Sequence, residues 1–217
     1  MSNLGLSIGA VHNLLNIDNR DFWIKYIREL NLNINAIELI FDPKTFNKLQ
    51  LSKENIEWIK RLDYRSLHIT PGFHCFDNWN INNYIYHPSW IMNNSYYKNN
   101  TLIENTDYEQ DDKYFNILSN DFNICCDISH ALSFSMDYLE AFIITHHTKI
   151  KQFHLSNYDK ECHVPFYSAK YDRLNAIGKL LKSYNLLDLP FIIECNFKTE
   201  LDLKNELVYV KNILWGE

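Results

Sequence analysis

The chain has 217 residues, 46% of them hydrophobic, and a formal net charge of −6. This length and apolar content predict one folded domain over residues 1–217 and exclude a disordered chain. The acidic balance gives no general attraction to nucleic acid or to an anionic membrane, so a nucleic-acid partner stays open but is not favoured.

Targeting signals and disulfides are not expected either. The sequence has no apolar run near the roughly 20 residues that a membrane span needs, and residues 1–10 lack the basic start of a signal peptide. Its five cysteines show no CxxC spacing, which indicates reduced thiols rather than a disulfide framework. We therefore expect a cytoplasmic protein with no membrane partner.

Short apolar runs alternate with amphipathic segments along the whole chain. Such runs are typical of buried parallel strands. Strands are predicted over residues 4–10, 36–41, 66–70, 84–87, 101–105, 123–128, 150–155 and 191–195. Helices are predicted over residues 20–30, 53–62, 135–145, 174–184 and 201–214, the last with a capping pair, Thr199 and Asp202.

This alternation predicts an α/β fold, a single (βα)8 barrel, with an open doubly wound sheet as the alternative. The chain is of minimal length for such a barrel. Residues 71–100 are too few for two full helices, so the third and fourth helical segments are expected to be shortened.

Polar side chains end or directly follow six successive predicted strands. In a (βα)8 barrel these strand ends meet at one mouth, where active sites are built. Each residue alone would more often be a cap or an ion-pair partner, but together they form the ligand set of zinc and related ions. The residues are His68, His87, Glu104, Asp127 with His130, His154, and Glu194. The sequence thus predicts a divalent-metal site.

The order of these segments resembles the xylose-isomerase-like barrel superfamily, which includes endonuclease IV and many sugar isomerases and epimerases. The resemblance spans nearly the whole chain. It is carried by the segments LHITP, HPS, IENT, CDISHA, FHLSN with a following HVP, and IIE. The resemblance implies a core metal held by Glu104, Asp127, His154 and Glu194.

The motifs are closest to those of endonuclease IV, and that likeness implies further ions. His68 and His87 would hold a second ion. His130, Glu161 and His163 would hold a third, with Glu161 standing where endonuclease IV has an aspartate. The implied cofactor is zinc, one to three ions, or manganese or magnesium in an isomerase. Cys162, the thiol beside this motif, is read first as a residue without a ligand role.

The substrate is expected to be small and phosphorylated or sugar-like. The segment between His68 and His87 is short where endonuclease IV carries loops that grip bent DNA. Three residues are candidate substrate contacts: His12 after the first strand, His74 in a loop, and Glu38 in AIELIF. A buried, ion-paired carboxylate is the equal alternative for Glu38.

Three functions remain open from the sequence. The first is metal-assisted hydrolysis of a phosphate ester, with Glu104 bridging two ions and Glu194 orienting the nucleophile. The second is sugar isomerisation or epimerisation with one metal, in which Glu104 and Glu194 are the catalytic proton carriers. The third is a barrel that binds a metabolite without catalysis, against which the number of ligand-type residues argues.

Overall fold

Eight parallel strands close into a barrel, each hydrogen-bonded to the next along the chain and the last to the first. The computed structural model describes residues 3–41, 51–69, 80–92, 97–171 and 173–217. The strands are β1 (Leu4–Ser7), β2 (Ala36–Phe41), β3 (Tyr64–Ile69), β4 (Asn83–Tyr86), β5 (Thr101–Glu104), β6 (Asn123–Asp127), β7 (Ile150–Leu155) and β8 (Phe191–Ile193). The predicted (βα)8 barrel is confirmed, and the open sheet is excluded.

Helices follow the strands around the outside of the barrel. They are α1 (His12–Leu15), α2 (Arg20–Glu29), α3 (Lys53–Arg61), α4 (Pro88–Met92), α5 (Glu109–Leu118), α6 (Ile128–Phe134), α7 (Met136–His146), α8 (Leu174–Ser183) and α9 (Glu200–Trp215). Between β3 and β4 the described residues, 80–82, form no helix, and α4 has five residues. Among the described helices, none is long and apolar enough to cross a membrane.

The first strand is shorter than predicted. Residues 8–11 form a 3-10 helix instead of continuing β1, because the Ser7 side chain accepts a hydrogen bond from the backbone N–H of Gly9. A side chain that bonds to the backbone two residues ahead turns the chain out of the extended conformation. The apolar run of residues 4–10 therefore predicts correctly that this segment is buried. Its backbone, however, is extended only as far as Ser7.

The interior of the barrel contains a polar layer among its apolar side chains. Glu38, Ser66, Gln152 and His154 are completely buried on their strands. The pairing register sets Glu38 of β2 beside Ser66 of β3, and Asp127 of β6 beside His154 of β7. The register thus brings residues far apart in sequence to one level of the barrel.

The loop between β7 and α8 is fixed to α9 by a buried carboxylate. Glu206 accepts hydrogen bonds of 2.9 Å from the backbone N–H groups of Phe166 and Tyr167, and its own side chain is fully buried. The Thr199–Asp202 capping box predicted at the start of α9 is present. Burial raises the pKa of Glu206 to about 7, although these two hydrogen bonds favour its ionised form.

Glu206 predicts a pH dependence of folding stability. Its folded pKa lies above that of an unfolded glutamate, so its stabilising contribution is full below about pH 4.5 and is lost as the pH rises through about 7. In Glu206→Gln this titration is absent. The difference in unfolding free energy between wild type and variant should fall by up to about 1.4 kcal/mol per pH unit in that window, as measured by urea unfolding. Glu140→Gln, an exposed control on α7, should show no such slope, and a flat difference for Glu206→Gln would contradict the assignment.

Candidate metal centre

The ends of six successive strands bring their polar side chains together. His68 is near the end of β3, Glu104 and Asp127 are the last residues of β5 and β6, and His154 lies in β7. His87 directly follows β4, and Glu194 directly follows β8. Because all strands run in parallel, their carboxyl ends face the same mouth of the barrel.

A core group forms around one ring nitrogen of His154. The Nδ1 atom lies 2.6 Å from Glu104 Oε1, 3.0 Å from Glu194 Oε2 and 3.8 Å from Asp127 Oδ2. One donor atom from each of these four residues lies within 4.8 Å of all the others. The structure therefore brings together the four residues expected to share the core metal, with donors of the kind that zinc and manganese take.

A second group uses the other oxygen of Glu104. Glu104 Oε2 lies 3.2 Å from His68 Nε2 and 3.3 Å from His87 Nε2, and the two histidine ring centres are 5.3 Å apart. The other nitrogen of His87 faces Asp111, and its ring stacks on Trp90 at 4.3 Å. Glu104 thus stands between two clusters of donor atoms, one on each carboxylate oxygen.

The orientation of His154 is set from inside the barrel. Its Nε2 atom lies 2.9 Å from Glu38 Oε2, which also accepts hydrogen bonds from Ser66 and from Gln152. A proton on Nε2 satisfies that acceptor, so an ion at the core group would replace only the proton that Nδ1 shares with Glu104 and would meet the Nδ1 lone pair. This is the carboxylate–histidine arrangement that supports metal ligands in proteins.

The hydrogen-bond chain continues below Glu38 to the start of the strands. Asn83 donates to the Tyr64 hydroxyl at 2.6 Å, and that hydroxyl donates to Gln152 Oε1 at 2.6 Å. These two bonds fix which end of the Gln152 amide faces Glu38. Sequence reasoning selected Glu38 but missed Gln152 and Tyr64, since nothing in a strand pattern marks a glutamine as part of a buried network.

Several buried oxygens at the mouth lack a hydrogen-bond donor. Asp127 Oδ1 accepts from Ser129 and from the backbone of His130 at the start of α6, whereas Asp127 Oδ2 faces the core group without a hydrogen bond among the described residues. Glu38 Oε1 and Glu104 Oε2 also make no hydrogen bond within that part of the chain, although they lie 3.6 and 3.2 Å from the ring nitrogens of His68. Buried carboxylate oxygens are costly to leave unpaired, so these atoms fit a bound cation.

The charges at the mouth also favour a bound cation. Although burial opposes ionisation, His154 and His68 hold the pKa of Glu104 well below its usual range. Burial favours neutral His68, but Glu104 and Glu38 raise its pKa to about 10. Four carboxylates, those of Glu38, Glu104, Asp127 and Glu194, meet here. Such a concentration of buried negative charge requires protons or a metal cation to balance it.

A third group of donors lies at the edge of the mouth. It consists of Asp107, His130 and Cys162; Glu161, which was expected to hold an ion with His130 and His163, is not one of its members. His163 packs its ring edge-on against His130 at 5.3 Å, and its Nδ1 atom lies 3.0 Å from the Glu194 carbonyl oxygen. Asp107 was missed because it follows IENT in a loop, where no strand pattern points to the mouth.

The three residues expected to contact substrate lie in different parts of the molecule. Glu38 is completely buried beneath His154, as in the ion-paired alternative. His12 is exposed and its ring packs against Trp23 at 5.1 Å. His74 lies outside the residues that the structure describes.

Comparison with known proteins supports the fold only. No family model matches the sequence, and no curated protein matches it. A sugar phosphate isomerase/epimerase from Parabacteroides distasonis ATCC 8503 is similar in structure, with a TM-score of 0.62 and 9% identity over 96% of this chain and 95% of that one. A second one from the same organism gives 0.51 and 12%, over 96% and 97%. The crystal structure of AsfvAP:AG gives 0.58 and 11%, over 98% and 99%.

The support that Glu38 gives to His154 leads to a prediction. Glu38→Gln keeps the size of the side chain but removes the charge that holds the Nε2 proton. Loss of such a supporting carboxylate typically weakens metal affinity about 10- to 100-fold. We expect that loss for zinc in a chelator competition assay, with the folded state checked by circular dichroism. The exposed Glu140→Gln should bind zinc like wild type; equal affinity in both variants would show that Glu38 does not support the ligand.

Proposed function

We propose that this chain is a divalent-metal-dependent enzyme that hydrolyses a phosphate ester. The observation that carries the proposal is the position of Glu104 between two donor groups. Its Oε1 atom faces His154, and its Oε2 atom faces His68 and His87. A carboxylate placed in this way can bridge two ions, and paired ions about 3.5–4 Å apart are typical of phosphatases and nucleases.

The bound ions and Glu194 would have different roles in the reaction. Bound divalent ions supply Lewis acidity, which stabilises charge on phosphoryl oxygens and makes water acidic at neutral pH. Glu194 is only partly buried, with 18% of its side chain exposed, so it can reach solvent and accept a proton from the attacking water. Burial opposes ionisation of Glu194, but His154 lowers its pKa and keeps it an available base.

A cleft beside this mouth supports a small substrate. It has a volume of about 370 Å3 and is lined by His163, Asn196 and Lys198 among others. The exposed Lys198 supplies a positive charge at the edge of an otherwise acidic region. A phosphorylated small molecule could therefore lie with its anionic group near Lys198 and its reacting group near Glu194.

A second candidate is sugar-phosphate isomerisation or epimerisation. It is favoured by the structural likeness to two proteins described as sugar phosphate isomerase/epimerases. In that reaction Glu104 and Glu194, on two sides of the core group, would move a proton between neighbouring carbons. Only the core metal is required, so His68 and His87 would line the pocket without holding an ion.

Metal content separates these two candidates. For the hydrolase, His68→Ala and His87→Ala should each lower the zinc content by about one ion per chain, because a site that loses one of its few ligands no longer offsets dehydration of the ion. Phosphatase activity on p-nitrophenyl phosphate should fall at least about 100-fold. Zinc is counted by elemental analysis after gel filtration.

A partly exposed histidine that belongs to none of the donor groups provides the control for this experiment. His147→Ala, at the end of α7, should keep the zinc content and the activity of wild type. A content of one ion in wild type, unchanged in His68→Ala and His87→Ala, would contradict the two-metal hydrolase. Conversion of a ketose phosphate to its aldose or epimer by those same variants would then favour the isomerase.

Binding to plain duplex DNA is predicted to be weak. The net charge of −6 opposes approach to the phosphate backbone. Fluorescence anisotropy with a labelled duplex at physiological salt should show no saturation at micromolar protein. Tight binding that weakens steeply with salt, together with cleavage at an abasic site, would contradict the small-molecule substrate and make DNA the substrate of the hydrolase.

A further inference from the structure

We infer that Asp107, His130 and Cys162 form a separate site for a thiolate-seeking metal ion of the zinc class. The proposal is independent of the reaction catalysed at the core group. It concerns a different donor set, since neither Cys162 nor Asp107 belongs to the groups around Glu104.

The distances among the three side chains match a tetrahedral zinc site. His130 Nδ1 lies 3.2 Å from Asp107 Oδ1 and 3.6 Å from Cys162 Sγ, and Cys162 Sγ lies 3.7 Å from Asp107 Oδ2. Zinc bond lengths at tetrahedral angles separate nitrogen and oxygen ligands by about 3.4 Å, and sulfur from either by about 3.6 Å. The separations of His130 from Asp107 and from Cys162 are close to these values, and one donor atom from each of the three residues lies within 4.8 Å of the other two.

The arrangement does not suit a nucleophilic cysteine. In such a triad the thiol and the acid contact opposite nitrogens of the histidine, so that the ring relays a proton between them. Here Asp107 and Cys162 both face Nδ1 of His130. Its other nitrogen, Nε2, faces Asp127 Oδ2 at 3.9 Å. Asp107 and Cys162 thus lie beside the nitrogen that would bind the ion, and not on the two sides of the ring that a proton relay needs.

The three donors come from separate elements that the fold holds in place. His130 lies in the first turn of α6, whose start is capped by Asp127. Cys162 lies in the turn after β7, which is closed by two hydrogen bonds between the backbones of Asn157 and Val164. Asp107 follows β5 and 36% of its side chain is exposed. An ion held by these three would keep a fourth position open toward solvent.

The donor types decide which ions this site takes. A thiolate with an imidazole selects zinc, cobalt or cadmium, whereas manganese and magnesium prefer oxygen ligands. The core group, with three carboxylates and one histidine, accepts the oxygen-preferring ions as well. The chain would thus hold two classes of site, and manganese would fill the core while leaving Cys162 free.

Cobalt is the probe for the test, because a cobalt–thiolate bond gives a charge-transfer absorption in the near ultraviolet. We expect wild-type protein titrated with Co²⁺ alone to develop this band. Cys162→Ser should lose the band and about one ion per chain, and Asp107→Asn should weaken Co²⁺ binding at the band at least about tenfold. Glu161→Gln, one residue from the thiol, is the matched control and should keep both the band and the ion.

A second measurement uses the unmodified chain, so that a folding defect in a variant does not decide the outcome. Iodoacetamide labelling followed by peptide mapping should show Cys162 alkylated in apo protein and in protein with Mn²⁺, but protected by Zn²⁺. A band that persists in Cys162→Ser, equal alkylation of Cys162 with and without Zn²⁺, or loss of the ion in Glu161→Gln as large as in Asp107→Asn would each overturn the proposal.

Discussion

The gathering of negative charge at one end of the barrel is the constraint on which the rest of the structure depends. Glu38, Glu104 and Asp127 are buried within reach of His154, and each leaves one oxygen without a hydrogen-bond donor among the described residues. A fold can keep such a cluster only if its strands are held firmly and cations balance the charge. The closed sheet supplies the first condition, and the histidines, with protons or metal, supply the second.

Glu104 links the two halves of this centre, and His154 links the centre to the interior. One carboxylate faces donors on both sides, and one imidazole faces Glu104 with Nδ1 and Glu38 with Nε2. Displacing either side chain would therefore disturb more than one group of donors. The loop after β7 adds Cys162 and His163 to the same mouth, and Glu206 on the buried face of α9 fixes that loop.

Much of the fold and of the core site could be predicted from the sequence, because both depend on local patterns. Apolar runs ending in His or a carboxylate marked the strands, and parallel strands necessarily bring their ends together. The edge of the mouth was harder to predict. Asp107 and Cys162 lie in loops, where no periodicity indicates which way a side chain points. The helix α5 was also missed, since its acidic first turn, with Glu109 and Asp112, resembles a polar loop in the sequence.

The hydrogen-bonded series of side chains from Asn83 through Tyr64 and Gln152 to Glu38 affects which substitutions this barrel can accept over evolution. The members are joined by directed hydrogen bonds, and replacing Gln152 would leave the buried Glu38 without one of its donors. Joint replacement of Gln152 and Glu38 should therefore cost less than replacement of either one alone. The residues that orient His154 should accordingly be inherited together, and a relative without the candidate metal centre could replace these buried polar side chains with apolar ones.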